Sequence, residues 1–233
     1  MDPAGKNTNL EASTVTVARD SASGRGTLGV GPSLDVEEAT VRRGRRTLGP
    51  FTFHVNPGEV VLLVGPNGSG KTTAVRLALG LERARSGTVR MNDRQVSPTS
   101  PPLGCGYVPD HSEFWEWCDG WTNLAAFAGD DQKTSSLLRD FGIADAATRP
   151  VDQWSRGMRQ RLAIARALGG DPAVLVMDEP TIALDVDGAE LVAELCRARA
   201  ARGVATLVAT HDQQLIAEVD ARLVPVVDAK CGT

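Results

Sequence analysis

Apolar and polar positions alternate over residues 34–41 and 51–55 on either side of an arginine-rich turn at Gly44, which predicts two short strands in an antiparallel hairpin. After the turn Asn56-Pro57-Gly58 comes a continuous apolar run at 60–64, then a helix-compatible stretch at 74–81 and a further strand at 86–91. Ser97-Pro98-Thr99-Ser100-Pro101-Pro102 is rich in breakers and reads as a loop. From about 113 to 150 the spacing turns helical, with Leu137, Leu138, Phe141 and Ile143 on one face. An amphipathic helix at 158–168, a buried strand at 173–177, a helix at 188–201 and a buried strand at 204–209 then alternate as in a parallel sheet. The expected class is α/β: a mostly parallel sheet, an N-terminal antiparallel β subdomain and a small helical subdomain at about 111–168. No internal repeat is visible.

Composition narrows this picture. A chain of 233 residues with 42% hydrophobic positions can bury one substantial core, so residues 33–233 are expected to form one domain. The formal charge of -4 is spread over both signs without a long basic block, which argues against nucleic acid as a partner. Arg42, Arg43, Arg45 and Arg46 flank Gly44 and read as the solvated tip of the hairpin, with a lipid-headgroup or nucleic-acid patch as the alternative. Cys105, Cys118, Cys196 and Cys231 form no C-x-x-C pair and read as free thiols in a reducing cytosol. No apolar stretch is long enough to cross a bilayer. Residues 1–32, rich in Ser, Thr, Gly and Ala, lack the apolar centre of a secretory signal and are expected to be a disordered extension.

Two motifs bring chemistry. Gly65-Pro66-Asn67-Gly68-Ser69-Gly70-Lys71-Thr72, followed by Thr73, stands between an expected strand and an expected helix, the context of a phosphate-binding P-loop. Its glycines let backbone N–H groups wrap the phosphates of a nucleoside triphosphate at a helix N-terminus. Lys71 would reach the β- and γ-phosphates, and the Thr72 hydroxyl would bind Mg²⁺. A dinucleotide fingerprint is excluded, because it has no Lys-Thr pair closing the loop. Further on, Val174-Leu175-Val176-Met177-Asp178-Glu179 is an apolar strand ending in two acids, at the strand end where open α/β sheets place ligands. Asp178 would hold Mg²⁺ and Glu179 would polarise the attacking water.

With the P-loop and these acids in order, residues 34–228 resemble the ATP-binding subunits of ABC transporters, built on a P-loop NTPase core. Trp154-Ser155-Arg156-Gly157-Met158-Arg159-Gln160-Arg161-Leu162-Ala163-Ile164-Ala165-Arg166-Ala167-Leu168 looks like the family signature and its helix. The resemblance implies that Ser155 and Gly157 bind the γ-phosphate held by the P-loop of a second subunit. It also implies a D-loop at Ala183-Leu184-Asp185 and a switch histidine, His211, in Thr210-His211-Asp212. Three features depart from the family: Arg156 and Met158 replace a Gly and a Gln of the commonest signature, as subfamily character, and Arg43 and Asp110 are the other two. Arg43 occupies the place of an aromatic residue that stacks on adenine, where its guanidinium either stacks on the base or points into water. Asp110, in Gly106-Tyr107-Val108-Pro109-Asp110, replaces a glutamine; it is able to bind the metal but adds negative charge beside the phosphates.

Phe114, Trp115, Trp117 and Trp121 crowd the segment after Asp110. In the family this region receives a permease helix, whereas bulky rings also fill a small subdomain's own core; both readings stay open. The resemblance thus implies an ATPase subunit at the cytoplasmic face of a membrane. It would dimerise around ATP and Mg²⁺, either with a second copy or with a homologous ATPase subunit, and drive a separate polytopic permease. The Gly157-Met158 signature and a chain that ends soon after Val227 lean towards export. The competing classes are an ATP-gated regulatory clamp with slow turnover and a non-transport ABC ATPase.

Overall fold

The computed structural model describes residues 33–184 and 187–227. Residues 1–32, Asp185 of the D-loop-like segment and Cys231 lie outside the described residues; Cys105, Cys118 and Cys196 are free thiols. The hairpin forms from β1 (Leu34–Arg43) and β2 (Arg46–Val55), antiparallel from Leu34 opposite Val55 to Arg43 opposite Arg46. Leu34, Val36, Phe53 and Val55 are buried in alternation, as the apolar pattern requires. β4 (Ser86–Met91) and β5 (Arg94–Gln95) complete an antiparallel sheet in the order β2-β1-β4-β5.

The second sheet is parallel throughout, in the order β6-β7-β8-β3-β9, with β3 at Val60–Val64, β6 at Cys105–Val108, β7 at Val174–Asp178, β8 at Ala205–Thr210 and β9 at Arg222–Pro225. Every residue of β7 and β8 is buried, which is why both read as largely apolar runs. Their alternate side chains divide between two cores. Val174, Val176, Leu207, Val61 and Leu63 join α1 (Lys71–Ala78) and the antiparallel sheet. Leu175, Met177, Val208 and Leu62 face the opposite cluster, built with α2 (Gly120–Ala128), α3 (Asp131–Asp140), α4 (Arg156–Leu168) and α5 (Gly188–Ala200).

The expected helical stretch from 113 to 150 is two helices separated by turns, and the first begins only at Gly120. The physical reason is local. Asp119 caps α2 by accepting from Thr122 N at 2.8 Å, and buried Asn123 holds the preceding loop through Trp115 N (2.9 Å) and Trp115 O (3.1 Å). Leu137, Leu138, Phe141 and Ile143 are all buried, as the periodicity predicts. A short helix α6 (Gln213–Glu218), capped by Asp212, and strand β9 carry no clear pattern in the sequence.

The helical side is packed closely against the parallel sheet at Gly106 of β6, where an added Cβ would lie 2.3 Å from Ala167 O and 2.9 Å from Pro172 Cγ. Gly106→Ala must therefore separate β6 from the end of α4, at a cost of about 1–3 kcal/mol. Chemical denaturation is the check; an unchanged midpoint and slope would contradict this packing.

Candidate functional site

Lys71, Glu179 and His211 meet because β7, β8 and β3 are neighbours and the chain leaves all three at the same end. After β3, residues 65–70 loop into α1, whose N-cap is Gly70 at φ 106, a left-handed conformation that glycine adopts without strain. Lys71 is the first residue of α1 and is buried. Its Nζ donates to Gly65 O at 2.8 Å and Pro66 O at 3.3 Å and pairs with Glu179 Oε1 at 3.2 Å.

Glu179 directly follows β7 at φ 48, an uncommon conformation for a residue with a side chain, and its N–H donates to Ala209 O at 2.8 Å. His211 directly follows β8. Its Nδ1 lies 2.9 Å from each carboxylate oxygen of Glu179, and its backbone N–H donates to Oε2 at 3.3 Å. Because a carboxylate is the acceptor, Nδ1 carries the proton. Lysine, glutamate and histidine thus form one network at the mouth of the P-loop, with Lys71 and Glu179 buried and the histidine ring at its exposed edge.

Asp178, the last residue of β7, is fully buried, and neither of its oxygens has a hydrogen-bond partner. The Thr72 hydroxyl is near enough to favour the charged form but does not complete a hydrogen bond. Burial pushes the carboxyl up to about 6, and the charges of Asp110 and Glu179 push in the same direction. A buried carboxylate left unpaired is costly, and a divalent cation beside Thr72 would remove that cost. The Ser69 hydroxyl of the P-loop is likewise buried without a partner. Among the described residues, no group of three or more His, Cys, Asp or Glu side chains is arranged to hold a metal unaided. Mg²⁺ fits such a site when one or two protein ligands are joined by phosphate oxygens.

The signature segment stands elsewhere. Ser155 caps α4, accepting from Met158 N at 3.2 Å, and a Cβ added to Gly157 would lie 3.0 Å from Ala183 O. Among the described contacts none joins either residue to the P-loop of the same chain. Sequence reasoning missed Gln160, a buried residue of α4 whose Nε2 donates to Pro180 O at 3.0 Å, directly after Glu179. The signal available was a polar side chain on the buried face of an amphipathic helix. It also missed Glu82, which holds Arg43 at 2.6 Å and Arg76 at 3.3 Å, so the Arg43 guanidinium is engaged in an ion pair at the hairpin end.

The aromatic cluster splits. Phe114 and Trp121 pack against the core on the helical side, whereas Trp115 is 47% and Trp117 80% exposed. Arg166 of α4 stacks on Phe114 at 4.7 Å and on Phe127 at 5.3 Å, and its Nη1 donates to Glu113 O at 2.7 Å. Phe127 and Arg166 also line an open groove of roughly 600 Å³ with Tyr107, Pro109 and Pro172. Among the described residues, no helix is long and apolar enough to cross a membrane.

The family model for ABC transporters matches residues 48–182. An uncharacterized ABC transporter ATP-binding protein of Bacillus subtilis, YdbJ, is 34% identical over 81% of this chain and 63% of its own length. The fluoroquinolones export ATP-binding protein of Mycobacterium tuberculosis is 34% identical over 76% of this chain and 61% of its length. The sulfate/thiosulfate import ATP-binding protein CysA of Mycobacterium bovis is 36% identical over 82% of this chain and 58% of its length. The chain therefore spans about three fifths of these relatives. Among solved structures, the ATP-binding subunit of an ABC transporter superposes with a TM-score of 0.75 at 25% identity, covering 84% of this chain and 86% of that one. The ADP conformation of an ATP-binding cassette superposes with a TM-score of 0.71 at 21% identity, over 84% and 88% of the two chains.

Proposed function

The chain belongs to the ABC transporter family, and from that premise we propose that it hydrolyses ATP, dimerises around the nucleotide and powers a separate membrane permease. The observation that carries the reading is the convergence of Lys71, Glu179 and His211 on the P-loop beside the unpartnered Asp178. Backbone N–H groups of residues 65–70 and the N-terminus of α1 would cradle the phosphates. Lys71 would leave Glu179 for the β- and γ-phosphates, and the freed Glu179 carboxylate would orient the attacking water and take its proton. His211 would contact the γ-phosphate. Thr72 and Asp178 would hold Mg²⁺, which would neutralise charge on the β- and γ-phosphate oxygens.

Ser155 and Gly157 are far more useful to a second copy than to their own chain. Their own neighbours are Met158 and Ala183, so the γ-phosphate they would bind is one presented by another P-loop. Closure of the dimer on ATP and its release after hydrolysis would then drive the permease. The Gly157-Met158 pair supports export as the direction, and work at the cytoplasmic face of the membrane follows from that role.

The exposed rings Trp115 and Trp117, in the segment that follows Phe114 stacked on Arg166, would supply the docking surface for the permease. Purification from native membranes in mild detergent tests the whole reading: a polytopic membrane protein should accompany the chain. Trp115→Ala and Trp117→Ala should each weaken that association by about 2 kcal/mol while leaving folding and ATP binding intact. Loss of melting temperature with the partner retained would instead make these rings part of the fold.

A further inference from the structure

The site carries one anion more than a phosphate ligand favours, and we infer that Asp110 makes nucleotide binding conditional on a divalent cation. The inference rests on the nucleotide-binding reading above. β6 and β7 run parallel with Val108 opposite Met177, so Asp110, two residues beyond Val108, leaves the sheet at the same end as Asp178 and Glu179. Three carboxylates therefore gather at this end. The cation whose charge bears on Asp178, Lys71, is already engaged by Glu179. Asp178 is fully buried and neither of its oxygens has a hydrogen-bond partner, so its charge has no direct partner within the protein. Asp110 adds to that field, and its charge bears on both Asp178 and the Tyr107 hydroxyl.

A triphosphate without metal brings several negative charges into this corner and is repelled by Asp110 and Asp178, the two carboxylates that no ion pair neutralises among the described residues. With Mg²⁺ bound it brings fewer, and its cation is drawn to the same groups. No three acidic or histidine side chains among the described residues are arranged to hold a metal unaided, so Thr72 and Asp178 would need phosphate oxygens to complete its ligands. A neutral side chain at 110 removes part of the first effect and little of the P-loop's own contacts. Asp110 is thus a specificity-determining residue: it sets how strongly the site prefers metal-loaded over metal-free nucleotide.

Titration calorimetry with a non-hydrolysable ATP analogue, in excess Mg²⁺ and in EDTA, compares the wild-type chain with Asp110→Asn and Asp110→Gln. Both variants should bind the metal-free analogue roughly tenfold more tightly than the wild type, as loss of one nearby charge allows, with a smaller change in Mg²⁺. A melting curve without ligand verifies that each variant is folded, and agreement between Asn and Gln ties the effect to charge instead of shape. If the ratio of the two affinities is the same in wild type and variants, the inference is overturned while the nucleotide-binding reading stands. A folded wild type that binds no analogue even with Mg²⁺ overturns both.

Discussion

Glu179→Gln is expected to retain ATP binding and to lower turnover by two or more orders of magnitude, about what loss of a positioned general base costs. Glutamine keeps the size of the side chain and can still accept from His211, but it cannot take a proton from water. The fold should tolerate the change, because Lys71 keeps its bonds to Gly65 O and Pro66 O when the ion pair to Glu179 is lost. With binding intact and hydrolysis stalled, ATP-bound dimers should accumulate. Size-exclusion chromatography with ATP and a phosphate-release assay read both effects. Near-normal phosphate release would remove Glu179 from this role.

Ser155→Arg and Lys71→Ala should each abolish turnover, and a mixture of the two chains should recover part of it. Lys71→Ala removes the ammonium from the P-loop; Ser155→Arg fills the signature that a second copy would present. In a mixed dimer both lesions fall in one composite site and the other is intact. Random pairing of a two-fold dimer makes half the dimers mixed, so about a quarter of wild-type turnover is expected if sites act independently. A mixture as inactive as either parent, with mixed dimers demonstrated by differential tagging, would count against a shared site.

The parts of the site legible in the sequence are those written in a few consecutive residues. A P-loop needs its glycines, lysine and threonine in order, and Asp178-Glu179 ends an apolar run, so both can be read without knowing the fold. Their convergence cannot. It depends on the strand order β7-β8-β3, which brings residues 71, 179 and 211 together through pairings remote in sequence. Gln160 reaching Pro180 O and Glu82 holding Arg43 are hidden for the same reason. The aromatic segment was ambiguous because ring content does not say which side faces the core; Phe114 and Trp121 pack inward while Trp117 is mostly exposed. Strand β9 escaped notice because four residues that open on Arg and close on Pro carry too little apolar alternation.

Lysine has three donor hydrogens, and Lys71 has three acceptors within reach: Gly65 O, Pro66 O and Glu179 Oε1. Capture of a phosphate by Lys71, as proposed, would therefore be an exchange of anions, in which the γ-phosphate competes with the Glu179 carboxylate. The tethered carboxylate belongs to the same residue that is proposed to activate water. On the proposed reading, a phosphate that took over this counter-ion would release the base from its ion pair. Loading and activation would then be one event, set by how well phosphate outcompetes Glu179 for a single ammonium.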